Sequence, residues 1–167
     1  MLSALALSAA LALQPPTEVA PAAPVAAVAE TGAEAEVGRV LDKLHATAAS
    51  ADEDVYFDLF TPNARFIGTD ATERWTMTEF RAFAEPYFQR DTAWTYRARE
   101  RVIDIAPSGD VAWFDERLDN ASYGETRGSG VLVRTDDGWK IAQYVLSFAV
   151  PNAVADDVVA RIRQGEP

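Results

Sequence analysis

The sequence predicts one α+β domain, in which a helical half is followed by a long antiparallel sheet. Up to about Arg90, apolar residues recur with a helical period of about 3.6, as Val37 and Leu41 do. After Arg90 the period changes to two, which is typical of strands. Two turn sequences, PSGD at 107–110 and DDG at 136–138, indicate hairpins between these strands.

Three helices are predicted in the first half of the domain. The first begins near Glu36, and capping boxes at residues 50–53 and 76–79 open the second and the third. Pro86 should kink or end the third helix, because proline cannot donate a helical hydrogen bond. A short strand at residues 64–68 is expected between the second and third helices.

Four long strands and a last helix complete the predicted domain. The strands are expected at residues 94–106, 111–119, 126–135 and 139–150, and the helix after Asn152. In the last strand, alternation places Trp139 and Ile141 on one face and Tyr144 on the other, so that both faces are apolar. The N-terminal helices can cover only one face. We therefore expect the C-terminal helix or a second copy of the chain to cover part of the other.

Composition and charge exclude several classes of function. The 167 residues include no cysteine and 1 histidine, which excludes disulfides, thiolate nucleophiles and sites built from two imidazoles. The formal net charge of −11 argues against nucleic-acid binding, because that function needs a basic surface. The sequence has no glycine-rich phosphate loop, HExxH motif or calcium loop, so we expect no cofactor and no metal.

The N-terminal 35 residues differ in composition from the rest of the chain. Residues 1–13 form an apolar run with small residues at a cleavage site, which is typical of a signal peptide, although no basic residue precedes Arg39. Residues 14–35 are rich in proline and alanine and indicate a linker, so the domain spans residues 36–164. We expect a periplasmic or secreted protein whose mature domain does not insert into a membrane. If residues 1–13 are instead an alanine-rich tail, the protein is cytoplasmic.

A set of short segments carries a resemblance to a known family. They are TPNARF at 61–66, GTD at 68–70, ERW at 73–75, DVAWFDE at 110–116, RGSGVLVR at 127–134 and DGWKIAQY at 137–144. Together they resemble the SnoaL-like branch of the nuclear transport factor 2-like superfamily. The resemblance implies a cone-shaped roll of helices packed in a strongly bent antiparallel sheet, a pocket at the open end and frequent homodimers. Members of the superfamily include isomerases, polyketide cyclases, dehydratases and kinase association domains.

The resemblance also draws attention to an acidic pair on the second long strand. Asp115 and Glu116 are adjacent, so their side chains point to opposite faces and only one can face the pocket. The register with the GWKI segment favours Asp115, whose carboxylate would act as a general acid or base in an apolar cup. The alternative is a structural carboxylate that pairs with Arg127 or another arginine.

Four further side chains are candidates for ligand binding. Arg127 precedes the small residues 128–130, which would let a ligand approach the sheet and meet the guanidinium. The alternative is that these glycines only permit the strand to bend and that Arg127 forms an ion pair at the rim. Trp75, Tyr87 and Tyr144 offer aromatic faces and hydroxyl donors to a pocket, although core packing explains them as well.

Two functions of different classes remain. The first is a non-enzymatic module, a dimeric cone that binds a small hydrophobic ligand or serves assembly. The second is a cofactor-free isomerase, cyclase or dehydratase, with Asp115 as proton shuttle and Arg127 or Tyr144 stabilising an oxyanion. An enzyme of this kind usually shows a His–Asp pair, whereas His45 lies beside the apolar stripe of the first helix and is interpreted as a boundary residue. We therefore prefer the binding module.

Overall fold

The computed structural model describes residues 32–165. The helices are α1 (Gly32–Ala49), α2 (Glu53–Asp58), α3 (Met77–Phe88) and α4 (Ala155–Gly165), with a 3-10 turn at Asn152–Val154. The strands are β1 (Phe60–Ile67), β2 (Arg74–Thr76), β3 (Arg97–Ile105), β4 (Val111–Asn120), β5 (Gly124–Thr135) and β6 (Gly138–Phe148). The predicted signal peptide at 1–13 and the linker up to residue 31 lie outside the described residues, and α1 begins before the expected start at Glu36.

The six strands form one sheet in the order β2-β1-β6-β5-β4-β3. Strands β3 to β6 follow one another as an antiparallel meander, which confirms the four strands predicted after Arg90. Strand β1 starts earlier than predicted and pairs in parallel with β6, so the sheet is mixed rather than wholly antiparallel. Strand β2 is not among the predicted elements, because a strand of 3 residues is too short to show a period.

The inner face of the sheet and the first three helices enclose the core. Val37, Leu41 and Leu44 of α1 are at most 2% exposed, which confirms the predicted apolar stripe. They join one apolar cluster with Phe80 of α3 and Ile141 of β6. Burying side chains of this size contributes about 1.5–3 kcal/mol each, so the cluster holds the helices against the sheet. This arrangement of helices inside a bent sheet is the predicted architecture.

The helix termini follow one predicted signal and depart from another. Thr76 and Glu79 form the expected capping box, in which the Thr76 hydroxyl accepts from the Glu79 amide at 3.3 Å and the Glu79 carboxylate accepts from the Thr76 amide at 2.8 Å. The capping box predicted at 50–53 is wrong, because Asp52 caps α2 while the Ser50 hydroxyl donates back to α1 carbonyls. Pro86 lies within α3, which continues to Phe88, so the missing N–H affects only the last turn.

A bulge in β6 overturns the prediction that both faces of this strand are apolar. Ile141 pairs with Leu132, and Gln143 pairs with the adjacent Val131. Two steps along β6 therefore correspond to one step along β5, so Ala142 is an extra residue in β6. The alternation therefore changes phase at Ala142. As a result Ile141 and Tyr144 are both buried on the inner face, although they were expected on opposite faces.

Apolar groups are nevertheless exposed outside the core. Val102 and Trp113 are 58% and 47% exposed on the outer face of the sheet. Helix α4 has no buried residue, and its Ile162 is 58% exposed. The expectation that α4 covers the outer face is therefore not met in the single chain. Among the described helices, none combines the length and the hydropathy that a membrane crossing requires.

Candidate functional site

A cavity of about 440 Å³ opens between the helices and the inner face of the sheet. Three of the predicted ligand-binding residues, Trp75, Tyr87 and Tyr144, line it. His45, which was interpreted as a boundary residue, lines it too. Such a volume accommodates a small organic molecule rather than a peptide.

Stacked aromatic rings form much of the cavity wall. Tyr144 stacks on Phe66 with ring centroids 5.4 Å apart, and Phe66 stacks on Phe80 at 3.9 Å. The stack continues from Phe80 to Trp75 at 5.7 Å and from Trp75 to Phe83 at 4.6 Å. All five rings line the cavity. This part of the wall is therefore apolar, and its ring faces and edges suit a ligand that is itself aromatic.

A buried carboxylate lies directly behind this lining. Glu116 is fully buried, and its Oε1 lies 2.7 Å from Nε2 of His45. The Tyr144 hydroxyl donates to the same oxygen at 3.1 Å. Because His45 and Tyr144 both line the cavity, one carboxylate holds two polar groups of the cavity wall in place.

Arg101 engages the second oxygen of this carboxylate. Its Nε donates to Oε2 of Glu116 at 2.8 Å, and its Nη2 lies 2.8 Å from the same oxygen. Nη1 of Arg101 in turn donates to the Gly38 carbonyl at 3.1 Å and to Oδ1 of Asp42 at 2.7 Å, both on α1. The guanidinium therefore neutralises Glu116 and ties β3 and β4 to the helix that carries His45.

The alternation along β4 decides which acid reaches this site. Ala112, Phe114, Glu116 and Leu118 point inward and are buried, which leaves Asp115 exposed on the outer face. The prediction that Asp115 faces the pocket is therefore wrong by one residue. Glu116, and not Asp115, is therefore the acid of β4 that lies beside the cavity, where it contacts His45 and Tyr144.

The prediction that Arg127 points toward a ligand is also wrong. Arg127 pairs across the sheet with Arg117 on the outer face, and it is exposed. The adjacent Gly128 points inward instead, where a Cβ atom would collide with the Tyr144 hydroxyl and come within 3.0 Å of Glu116 Oε1. The glycine thus makes room for the Tyr144–Glu116 hydrogen bond and not for a ligand at Arg127.

The surroundings of Glu116 keep it ionised and Tyr144 neutral. Burial alone would raise the pKa of Glu116, but the hydrogen bond from His45 and the charge and hydrogen bonds of Arg101 outweigh it and lower this pKa below 4.5. Burial and the neighbouring carboxylate raise the pKa of Tyr144 well above 10.0. Tyr144 therefore remains a hydrogen-bond donor at neutral pH.

Acidification should destabilise the fold through Glu116. Because its folded pKa lies below the ordinary value of 4.5, the ionised carboxylate contributes stability above that pH, and this is lost as the pH falls through the folded pKa. We expect the free energy of unfolding in urea to fall between neutral pH and about pH 3. The loss should be smaller in Glu116→Gln. An equal loss in both proteins would contradict this origin.

The imidazole of His45 is a group of the site that is chemically able to transfer a proton. Within residues 32–165, no three His, Asp or Glu side chains are grouped as a metal site requires. In the same part of the chain, no group hydrogen-bonds Nδ1 of His45. With the proton on Nε2, directed at Glu116, Nδ1 carries the lone pair of an imidazole that lines the cavity.

Comparison with known proteins agrees with this fold. Similar solved structures include a nuclear transport factor 2-like protein of Pseudomonas putida (14% identity, 71% of this chain and 87% of that chain, TM-score 0.59). A second is a candidate aromatic ring hydroxylase of Novosphingobium aromaticivorans (18% identity, 70% of this chain and 89% of that chain, TM-score 0.59). A third is a candidate ketosteroid isomerase of Shewanella frigidimarina (21% identity, 70% of this chain and 98% of that chain, TM-score 0.54). At these identities the likeness concerns the fold alone.

The family is shown by the sequence itself. No curated protein matches the chain. The family model described as a SnoaL-like domain, however, matches residues 37–151, which is most of the chain. This match covers α1 from residue 37 onward, all six strands and the residues that hold Glu116 in place. The chain therefore belongs to the SnoaL-like domain family.

Proposed function

We propose that this protein binds a small, largely apolar molecule in the cavity and that His45 transfers a proton to or from it. The observation that carries the proposal is the 2.7 Å contact between His45 Nε2 and a fully buried Glu116 at the wall of an aromatic cavity. Isomerases, cyclases and dehydratases that use no cofactor need such a general acid or base.

The contact between His45 and Glu116 favours an enzyme over the non-enzymatic binding module. The preference for that module depended on the absence of a His–acid pair, and His45 and Glu116 form one. The carboxylate fixes the tautomer and the orientation of the imidazole, so that a single nitrogen faces the ligand. Arg101 in turn compensates the buried charge. His45, Glu116 and Arg101 thus supply the imidazole, the acid that orients it and the charge that compensates this acid.

A probe reaction tests the proposal without knowledge of the natural substrate. Nitrobenzisoxazole loses its ring C–H proton to a base while its N–O bond breaks, and the product cyanonitrophenolate absorbs visible light. We expect the protein to accelerate this elimination and His45→Ala to lower kcat/KM by about a hundredfold, as for loss of a general base. Asp115→Asn is the matched control, because it removes a neighbouring carboxylate that lies on the outer face.

The outcomes of this experiment separate the two functions. Acceleration that depends on His45 and survives Asp115→Asn supports a catalytic His45. Equal rates for the wild-type protein and His45→Ala would contradict it and would leave the binding module as the better description. Folded state and unfolding free energy are checked for each variant, so that loss of structure is not mistaken for loss of a base.

We also propose that the protein is a homodimer formed through the outer face of the sheet. The support is the exposure of Val102 on the edge strand β3 and of Trp113 on the neighbouring strand β4, on a face where a soluble monomer usually presents polar groups. Light scattering should give twice the chain mass of 18.2 kDa, and Trp113→Glu should reduce it to the monomer. A wild-type monomer at micromolar concentration would contradict the proposal.

Export remains a proposal that rests on residues 1–13. We infer that this segment is removed during translocation to the periplasm or the medium. Intact-mass measurement of natively expressed protein should find no Met1. Protein that retains Met1 and fractionates with the cytoplasm would contradict export.

A further inference from the structure

The cavity contains one cationic side chain whose role the acid–base pair does not explain. Among the described residues that line the cavity, Arg90 is the only lysine or arginine. It follows the C-cap of α3, and its backbone amide donates to the Tyr87 carbonyl at 3.1 Å. The helix end thus fixes the backbone of Arg90 at the edge of the cavity.

The guanidinium of Arg90 is positioned but not neutralised. Its Cζ lies 4.7 Å from the centroid of the Tyr87 ring, which also lines the cavity. No carboxylate within the described residues lies within ion-pair distance of it, although acids outnumber bases in the chain by 26 to 15. Stacking on an aromatic ring restricts the guanidinium while its N–H donors stay free for an anion.

Glu73, the one carboxylate among the described residues of the lining, does not form an ion pair with this cation. Glu73 lines the cavity, and its Oε2 accepts from the Asp70 amide at 3.1 Å within its own loop. Much of the remaining wall is the five-ring stack, which presents the edges and end faces of its rings to the cavity. Among the described residues, the cavity therefore combines aromatic rings, which an aromatic ligand can contact at their edges and end faces, with one guanidinium that carries a single positive charge.

We infer that the ligand of this cavity is a planar aromatic carboxylate, whose ring packs against the aromatic wall and whose carboxylate pairs with Arg90. A carboxylate fits better than a phosphate, because one guanidinium can satisfy a carboxylate in a bidentate pair, whereas a dianion calls for several donors. This inference rests on the proposed function only in that both use the same cavity. It adds the chemical class of the molecule that His45 would act on.

Calorimetric titration with naphthoate and with its neutral counterpart naphthamide tests the inference. The two probes share ring and shape and differ in charge, so Arg90 should favour naphthoate by about tenfold in Kd. Arg90→Gln should abolish the preference. Arg39→Gln, which removes an exposed arginine of α1 outside the cavity, should preserve it. A saturated carboxylate of the same outline should bind more weakly than naphthoate, because it has no aromatic ring to make edge-to-face or stacked contacts with the rings of the wall.

Any other result of this titration would overturn the inference. Equal affinity for naphthoate and naphthamide, or a preference that persists in Arg90→Gln, would show that Arg90 does not bind a carboxylate. Failure of both probes to bind would show that the ligand belongs to another class. These results leave the elimination assay unaffected, because nitrobenzisoxazole carries no anion. Loss of His45-dependent elimination with retained naphthoate preference would instead contradict the proposed function alone.

Discussion

Glu116→Gln should destabilise the protein by about 3 kcal/mol, because it leaves the guanidinium of a largely buried ion pair without its countercharge. Arg101 is the stranded partner, with only 14% of its side chain exposed. Asp42, the other acid bonded to Arg101, is 72% exposed and compensates little. The free energy of unfolding, measured in urea at neutral pH, is the readout.

Asp115→Asn provides the matched control for this experiment. The two acids are adjacent in β4, but Asp115 is exposed and should change the unfolding free energy by less than about 0.5 kcal/mol. Replacing both members of the pair, as Glu116→Leu with Arg101→Met, should recover much of the loss, because no unpaired charge remains. A larger loss in Asp115→Asn than in Glu116→Gln would contradict the orientation of β4.

Gly128→Ala should cost about 1–3 kcal/mol by overpacking the space beneath the cavity. The added methyl group would overlap the Tyr144 hydroxyl and approach Glu116 Oε1 to 3.0 Å, so Tyr144 must move away from its acceptor. The unfolding free energy should fall, and the environment of the Tyr144 ring, followed by near-ultraviolet circular dichroism, should change.

The double variant Gly128→Ala with Tyr144→Phe identifies the cause. Removing the hydroxyl removes the group with which the new methyl collides, so the double variant should be more stable than the two single costs predict. Ser129→Ala is the control on the same strand, because Ser129 pairs with Asp115 on the outer face and touches neither group. Strictly additive costs would contradict a collision at Tyr144.

The fold could be predicted from the sequence because its signals are local. The period of two, the turn sequences and the Thr76–Glu79 capping box each depend on neighbouring residues, and they gave the meander and α3. The resemblance carried by the DGWKIAQY segment supplied the shape of the roll. Strand β2 is too short for such a signal, and β1 pairs with a strand that is distant in the sequence.

The site could not be predicted in full because it depends on strand phase and on contacts between distant residues. Alternation separates Asp115 from Glu116 but does not say which of them faces inward, since β4 carries apolar residues on both faces. His45 and Glu116 are 71 positions apart, and no local pattern links them. The bulge at Ala142 likewise has no signal in the sequence, because alanine is tolerated on either face.

The central claim is that Glu116 holds His45 Nε2 at the cavity wall, and nuclear magnetic resonance of the imidazole tests it most directly. The chain has 1 histidine, so ¹⁵N-histidine labelling gives signals from His45 alone. At a pH where the ring is neutral, the proton should reside on Nε2 and exchange slowly with water, and this signal should persist in Asp115→Asn but weaken or shift in Glu116→Gln. A proton on Nδ1, or an imidazole that exchanges as freely as in a peptide and is unchanged by Glu116→Gln, would contradict the account.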